Sequence, residues 1–260
     1  MSQIASPQNP RLKALRRLHT RRERVRTGTF LAEGEDLIAA AVLAGRPALA
    51  GYRLAGSGLG QEHFHDVEAA TLAGASALGS SSRVIGVYEQ RWQEPAGPLC
   101  VYLHGVRDPG NVGAVLRSAL AFGASCVALG PGCADPHSPK AVRASMGAIF
   151  SVVLAQAFDV EQLPRERIAL CADAREPLRG PGDRLADAAS GAPEAAGEPP
   201  APEPVTLLIG AERHGLPDEL IAACERSARI PIASDSLNAA MAATVALYEM
   251  TRRAIRVPAS

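Results

Sequence analysis

The apolar residues of this chain fall into two textures that meet near residue 95. Beyond it, short and almost wholly apolar runs recur at 99–104, 125–130, 149–155, 167–172, 205–210 and 228–232. Helical patterns separate several of them, notably 111–122 and 237–254. Strands buried on both faces read as continuous apolar runs, so this alternation predicts an α/β fold with an open parallel sheet covered by helices. Before residue 95 the pattern is mixed. Residues 1–28 read as one helix with a basic face, opened by the turn-like Ser6-Pro7-Gln8-Asn9-Pro10. Phe30-Leu31-Ala32-Glu33-Gly34, a helical pattern over about 35–45, and strand-like runs at 50–54 and 84–88 make a small α/β domain. Glu94-Pro95-Ala96-Gly97-Pro98 reads as a linker, so the expected division is 1–95 and 96–260. Residues 175–204, rich in Pro, Gly, Ala and acid, cannot bury enough apolar surface to order themselves and are expected to form a flexible loop.

Composition sharpens this only locally. Aromatics are 4% of the chain, so its core must be built mostly of Ala, Val and Leu. The formal net charge is zero, yet residues 1–30 carry Arg11, Lys13, Arg16, Arg17, Arg21, Arg22, Arg24 and Arg26 against Glu23 alone. Such an arm suits a phosphate backbone, and equally suits a solvated amphipathic helix. The five cysteines are scattered with no C-x-x-C spacing, which gives neither a disulfide framework nor a metal site. His63 and His65 flank Phe64 in a polar stretch and read as surface residues. No apolar run reaches membrane-spanning length and the N-terminus has no apolar signal core, so the expected setting is cytoplasmic, away from any membrane.

Three segments carry candidate chemistry. Asp108-Pro109-Gly110-Asn111-Val112-Gly113-Ala114-Val115-Leu116-Arg117 follows an apolar run. Asp-Pro-Gly signals a turn, Asn111 suits a helix cap, and Gly113 and Arg117 share a face near the helix start. The free N–H groups there, with an amide and an arginine, could hold an anionic, hydroxyl-bearing substrate such as a nucleotide; the plain alternative is an ordinary strand–turn–helix unit. In Gly210-Ala211-Glu212-Arg213-His214-Gly215, two glycines around a carboxylate suit a loop passing close to a small ligand. In Arg229-Ile230-Pro231-Ile232-Ala233-Ser234-Asp235-Ser236-Leu237-Asn238, a short strand ends in proline, and Ser236 and Asn238 mark a helix start.

In this order and spacing the segments resemble the TrmH/SpoU family of RNA ribose 2′-O-methyltransferases, within the SPOUT superfamily. The resemblance rests on Asn111, Gly113 and Arg117; on Gly210, Glu212 and Gly215; and on Ile230, Pro231, Ser236, Leu237 and Asn238. Ser138-Pro139-Lys140, with Arg143, Ser145 and Gly147, is similar to a further family segment. The N-terminal region resembles the small substrate-binding domain, L30e-like, that many members carry. Two departures stand out. Ala239-Ala240-Met241 replaces a valine–serine–valine, removing a hydroxyl, and Ile232 replaces a common methionine.

The resemblance implies an open α/β sheet with a C-terminal trefoil knot, a homodimer formed through the knot domain, and S-adenosylmethionine as cofactor. It implies a cofactor site at Gly210, Glu212, Gly215, Ile230 and Leu237. It implies a catalytic set of Arg117, Asn111, Glu212, Ser236 and Asn238, where support of the loops is as good a role for Glu212 as chemistry. RNA contacts fall to Arg11, Lys13, Arg16, Arg17, Lys140 and Arg143. The substrate would be structured RNA, with ribosomal RNA favoured over transfer RNA. Two rivals remain. A catalytically inactive RNA-binding or ribosome-assembly protein on the same fold would not need the intact motif residues. A nicotinamide-dependent oxidoreductase lacks its glycine fingerprint, since Gly56-Ser57-Gly58-Leu59-Gly60 has the wrong spacing.

Overall fold

The computed structural model describes residues 3–79, 82–180, 203–234 and 236–252. They form two compact units. The first draws on the chain up to Arg91 together with Asp108–Arg117 and Ala134–Ser151. The second draws on Trp92–Arg107, Ser118–Cys133 and the chain from Val152 onward.

The first unit opens with α1 (Pro10–Arg17) and α2 (Arg21–Thr27), where one basic helix was expected. The break is local chemistry. Asn9 caps the first helix by accepting from the Arg11 N–H, and Pro10 pre-sets its first turn. Thr20 then starts a second helix by accepting from the Glu23 N–H at 3.4 Å, and Gly28 ends it at φ 64°. There follow β1 (Thr29–Glu33), α3 (Glu35–Leu43), β2 (Ala50–Leu54), β3 (His65–Val67), α4 (Ala69–Ala73) and β4 (Val84–Glu89). The sheet runs β1-β4-β2-β3; β4 is antiparallel to both neighbours and β2 pairs with β3 in parallel. Leu12, Leu15, Leu31, Tyr52, Leu72 and Ile85 fill its core. Phe64 is also buried, with its ring over the Cα atoms of Gly51 and Gly60, where any Cβ would overlap it.

From β5 (Leu99–Leu103) the order is α5 (Pro109–Ala121), β6 (Cys126–Leu129), α6 (Pro139–Ala144), β7 (Val153–Gln156), β8 (Arg167–Leu170), β9 (Val205–Ile209), α7 (Asp218–Ala222), β10 (Arg226–Ala228) and α8 (Ala239–Thr251). Helix α5 begins in the first unit and α6 lies wholly within it. The second unit holds a six-stranded sheet, β10-β8-β9-β5-β6-β7, in which every pairing is parallel. All five residues of β9 are buried, including Thr206, whose hydroxyl donates to the Pro164 carbonyl oxygen. Small side chains, among them Cys100, Cys126, Ala128, Ala155 and Ala169, form the core with Tyr102 and Leu208.

Three boundaries differ from expectation. Helix α5 is capped by Asp108 and not by Asn111: the Asp108 carboxylate accepts from the N–H groups of Gly110 at 2.5 Å and Asn111 at 3.2 Å. Pro109 fixes the φ of the first helical residue, so the helix starts two positions earlier than the asparagine. The run at 149–155 becomes a strand only at Val153, because Gly147 (φ 92°) leads into a 3-10 turn over Ala148–Phe150. The run at 228–232 ends as a strand at Ala228; Pro231 lacks an N–H, and Arg229 instead exchanges backbone bonds with Glu176 and Leu178. The remainder of the expected loop, residues 181–202, lies outside the described residues. No helix among the described residues is long and apolar enough to cross a membrane.

Candidate active site

In the second unit the chain leaves β9 and folds straight back on itself. Ala211 and Gly215 exchange both backbone bonds, at 3.2 and 2.8 Å, which leaves Glu212, Arg213 and His214 as the tip of a tight hairpin. Both glycines have a physical reason. Gly215 has φ +63°, and a Cβ on Gly210 would overlap the carbonyl of Gly215. Glu212 accepts from the side-chain amide of Asn238 at 2.6 Å. The other end of that amide caps α8, accepting from the N–H groups of Ala240 and Met241.

This hairpin walls a cavity of about 310 Å³. It lies where residues 170–172 leave β8 and Ile209 leaves β9, at the carboxyl ends of parallel strands where open α/β sheets bind ligands. Leu170, Ile209, Ile230 and Leu237 give it apolar surface; Glu212, Arg213 and Ser236 give it a polar edge. The structure thus gathers Gly210, Glu212, Gly215, Ile230, Ser236 and Leu237 around one cavity, with Asn238 bonded to its rim. Sequence reasoning missed Cys171, Ala172, Arg213, Ala239 and Ala242. The carboxyl end of the 167–172 run was the available signal for the first two. Burial pushes the Cys171 thiol up, away from the thiolate a nucleophile would need.

The remaining candidates belong to the first unit. Asn111 lies in the first turn of α5. Arg117 is exposed on the same helix, with no hydrogen bond or ion pair among the described residues, while Val112, Val115 and Leu116 are buried. Gly113 is there for contact: a Cβ would overlap the Ala141 carbonyl oxygen and crowd Ala144 on α6. Lys140, on α6, bonds Asp108 at 2.9 Å, and that bond is the main reason the Asp108 carboxyl is held below its usual range. Arg143 is exposed.

The basic arm is less uniform than its composition suggests. Arg11, Lys13 and Arg17 are exposed, but Arg16 donates to the Pro7 carbonyl oxygen at 2.5 Å. Arg24 is buried. Its guanidinium bonds the Asp135 carboxylate at 2.8 and 2.9 Å and the carbonyl oxygens of Leu18 and His19. Arg26 is paired with Glu23. Arg24 and Arg26 therefore do not contribute free charge to the face.

Residues 98–248 match the SpoU rRNA methylase family. The chain belongs to this family. Residues 9–84 of this SpoU methylase match an MRM3-like substrate binding domain. It is 26% identical over 273 residues to a 23S rRNA (guanosine(2553)-2′-O)-methyltransferase of Bacillus subtilis, covering 96% of this chain and 99% of that one. The crystal structure of an S-adenosylmethionine-bound rRNA methyltransferase from Sinorhizobium meliloti superposes with a TM-score of 0.79 at 28% identity, covering 98% of this chain and 99% of that one. An RNA 2′-O ribose methyltransferase of known structure matches with a TM-score of 0.72 at 29% identity, over 97% and 99% of the two chains. This SpoU methylase is an RNA 2′-O-ribose methyltransferase that uses S-adenosylmethionine.

Proposed function

We propose that this enzyme methylates a ribose 2′-hydroxyl of ribosomal RNA, with residues 1–95 binding RNA and residues 96–260 carrying the transfer. The observation that carries the cofactor part is the cavity bounded by the Gly210–Gly215 hairpin and the start of α8. Its apolar walls fit an adenosine and its polar rim fits an amino-acid tail. Gly210, Gly215, Ile230 and Leu237 would hold the donor, which supplies a methyl group already activated as a sulfonium. Glu212 and Asn238 fix each other and so fix the rim.

Arg117 is the proposed catalytic residue. A guanidinium stays protonated in proteins, so it serves poorly as a base. It serves well as a planar fork that grips a phosphate and orients the neighbouring 2′-hydroxyl. Asn111 and Ser236 are assigned to positioning. Arg11, Lys13, Arg16, Arg17, Lys140 and Arg143 are assigned to RNA phosphates, which set affinity and register without reading sequence. Lys140 would exchange Asp108 for phosphate.

A homodimer through the second unit is part of the proposal. Its support is an exposed apolar stripe on α8, Met241, Val245 and Tyr248, with exposed Leu120 on the last turn of α5 and Phe122 edge-on to Tyr248. A cytoplasmic setting is also proposed, and the five free thiols fit a reducing compartment. The test is labelled methyl transfer from S-adenosylmethionine to ribosomal and transfer RNA from cells lacking the gene. Wild-type protein labels ribosomal RNA at one mapped ribose and Arg117→Lys loses most of the signal; label on transfer RNA alone overturns the substrate, and full activity of the variant overturns the clamp.

A further inference from the structure

We propose that Arg213 holds the carboxylate at the methionine end of S-adenosylmethionine and so makes the site select a donor with an intact amino-acid tail. This rests on the cavity being the cofactor site. Among the described residues lining it, Glu212 and Arg213 are the charged ones. They are adjacent, but their situations differ. Glu212 already accepts from the Asn238 amide at 2.6 Å. Arg213 sits at the centre of the hairpin tip and makes no hydrogen bond or ion pair among the described residues. The Ala211–Gly215 backbone pair closes the hairpin directly beneath it, so its guanidinium is carried on a short, braced support.

The charge of the ligand decides what such a guanidinium can do. S-adenosylmethionine has two cationic centres, the sulfonium and the ammonium, and one anionic group, the carboxylate. An arginine beside either cation would be repelled, so the carboxylate is the one charged group of the ligand that gains from it. A guanidinium also matches a carboxylate in shape, with two parallel N–H donors for two oxygens. Glu212 supplies the opposite sign on the same rim, which suits the ammonium. The two neighbouring side chains thus mirror the zwitterion they face.

The experiment is calorimetric binding of S-adenosylmethionine and of decarboxylated S-adenosylmethionine, which differ only in the carboxylate, to wild-type full-length protein and to Arg213→Ala and Arg213→Lys. Wild type prefers the intact cofactor by about tenfold or more, the size of one charge-assisted pair. Arg213→Ala loses that preference while its affinity for the decarboxylated ligand stays within about twofold, and Arg213→Lys keeps part of it because the charge remains. Equal weakening of both ligands by Arg213→Ala means that the hairpin has been disturbed and overturns the assignment. Unchanged preference with weakened RNA binding places Arg213 on an RNA phosphate and also overturns it. Wild-type protein that binds neither ligand overturns the cofactor site itself, an outcome distinct from the other two.

Discussion

Two helices of this protein start under the same kind of cap, and their differences show how a local device is put to separate uses. In the first unit, Asp108 caps α5 with one carboxylate oxygen and receives Lys140 on the carboxylate at 2.9 Å. In the second unit, Asn238 caps α8 with its amide oxygen and uses its amide N–H to hold Glu212 at 2.6 Å. Each cap has capacity to spare, and the sign of the charge it binds dictates the residue. A carboxylate can take a cation. A neutral amide can cap a helix and donate to an anion at once, which a carboxylate cannot. Asp108 therefore ties α5 to α6, whereas Asn238 braces the rim of the cavity.

The strongest way to separate the two units is pH. The first contains His137, 2% exposed, whose imidazole burial pushes down to about 4. Between that value and the unfolded one near 6.5, only the unfolded chain takes up the proton. Stability is complete above about 6.5 and is lost as pH falls towards 4, by about 3 kcal/mol in all. Denaturant unfolding of the full chain across this window should show the loss, and His137→Asn should flatten it. The second unit holds His104, whose imidazole burial also pushes down, so the difference between wild type and His137→Asn is what isolates the share of the first unit.

The next effect belongs to the second unit. Gly210→Ala places a methyl group on the Gly215 carbonyl, forces the hairpin open and weakens S-adenosylhomocysteine binding by roughly 100-fold in calorimetry. Asn238→Asp sharpens the comparison further. Asp caps as well as Asn, so the melting temperature barely moves, but a second carboxylate now faces Glu212 and affinity falls about tenfold. Loss of stability without loss of affinity would assign Asn238 to the helix alone. The smallest effect is the converse exchange. Asp108→Asn keeps the cap and loses only an exposed ion pair, costing about 0.5 kcal/mol. A cost several times larger would mean that Lys140 braces α6 more than its exposure suggests.

The sequence made most of the sheet of the second unit legible because its central strands are buried on both faces and leave nearly unbroken apolar runs. Where those runs stop being strands was less legible. At 149–155 a 3-10 turn after Gly147 takes up the start of the apolar run before the strand begins at Val153, and at 228–232 apolar character continues past Ala228, the last residue of the strand. The cavity was legible at Gly210, Glu212 and Gly215, since glycines flanking a carboxylate leave a motif. Cys171 and Ala172 left none: they line the cavity only because β8 ends beside β9, a fact of strand order. Charge was least legible. A count of cations gives Arg24 the same weight as Arg21, yet the partner that buries it, Asp135, lies 111 positions away.

That pairing has a consequence for how the chain is made. Phe30 stacks on Phe150 and packs at a tilt against His137, and Tyr88 meets Phe150 edge-on, so the interior that begins at the amino end is closed by residues synthesised much later. A nascent chain that has reached the Pro-rich linker still holds an arginine without its counter-ion and two aromatic rings without their cover. Cutting the gene at that linker would yield a fragment with a greasy, charged wound, prone to stick to itself. The proper excision for an isolated amino-terminal piece is not a single cut; it needs Asp108–Arg117 and Ala134–Ser151 grafted back onto it.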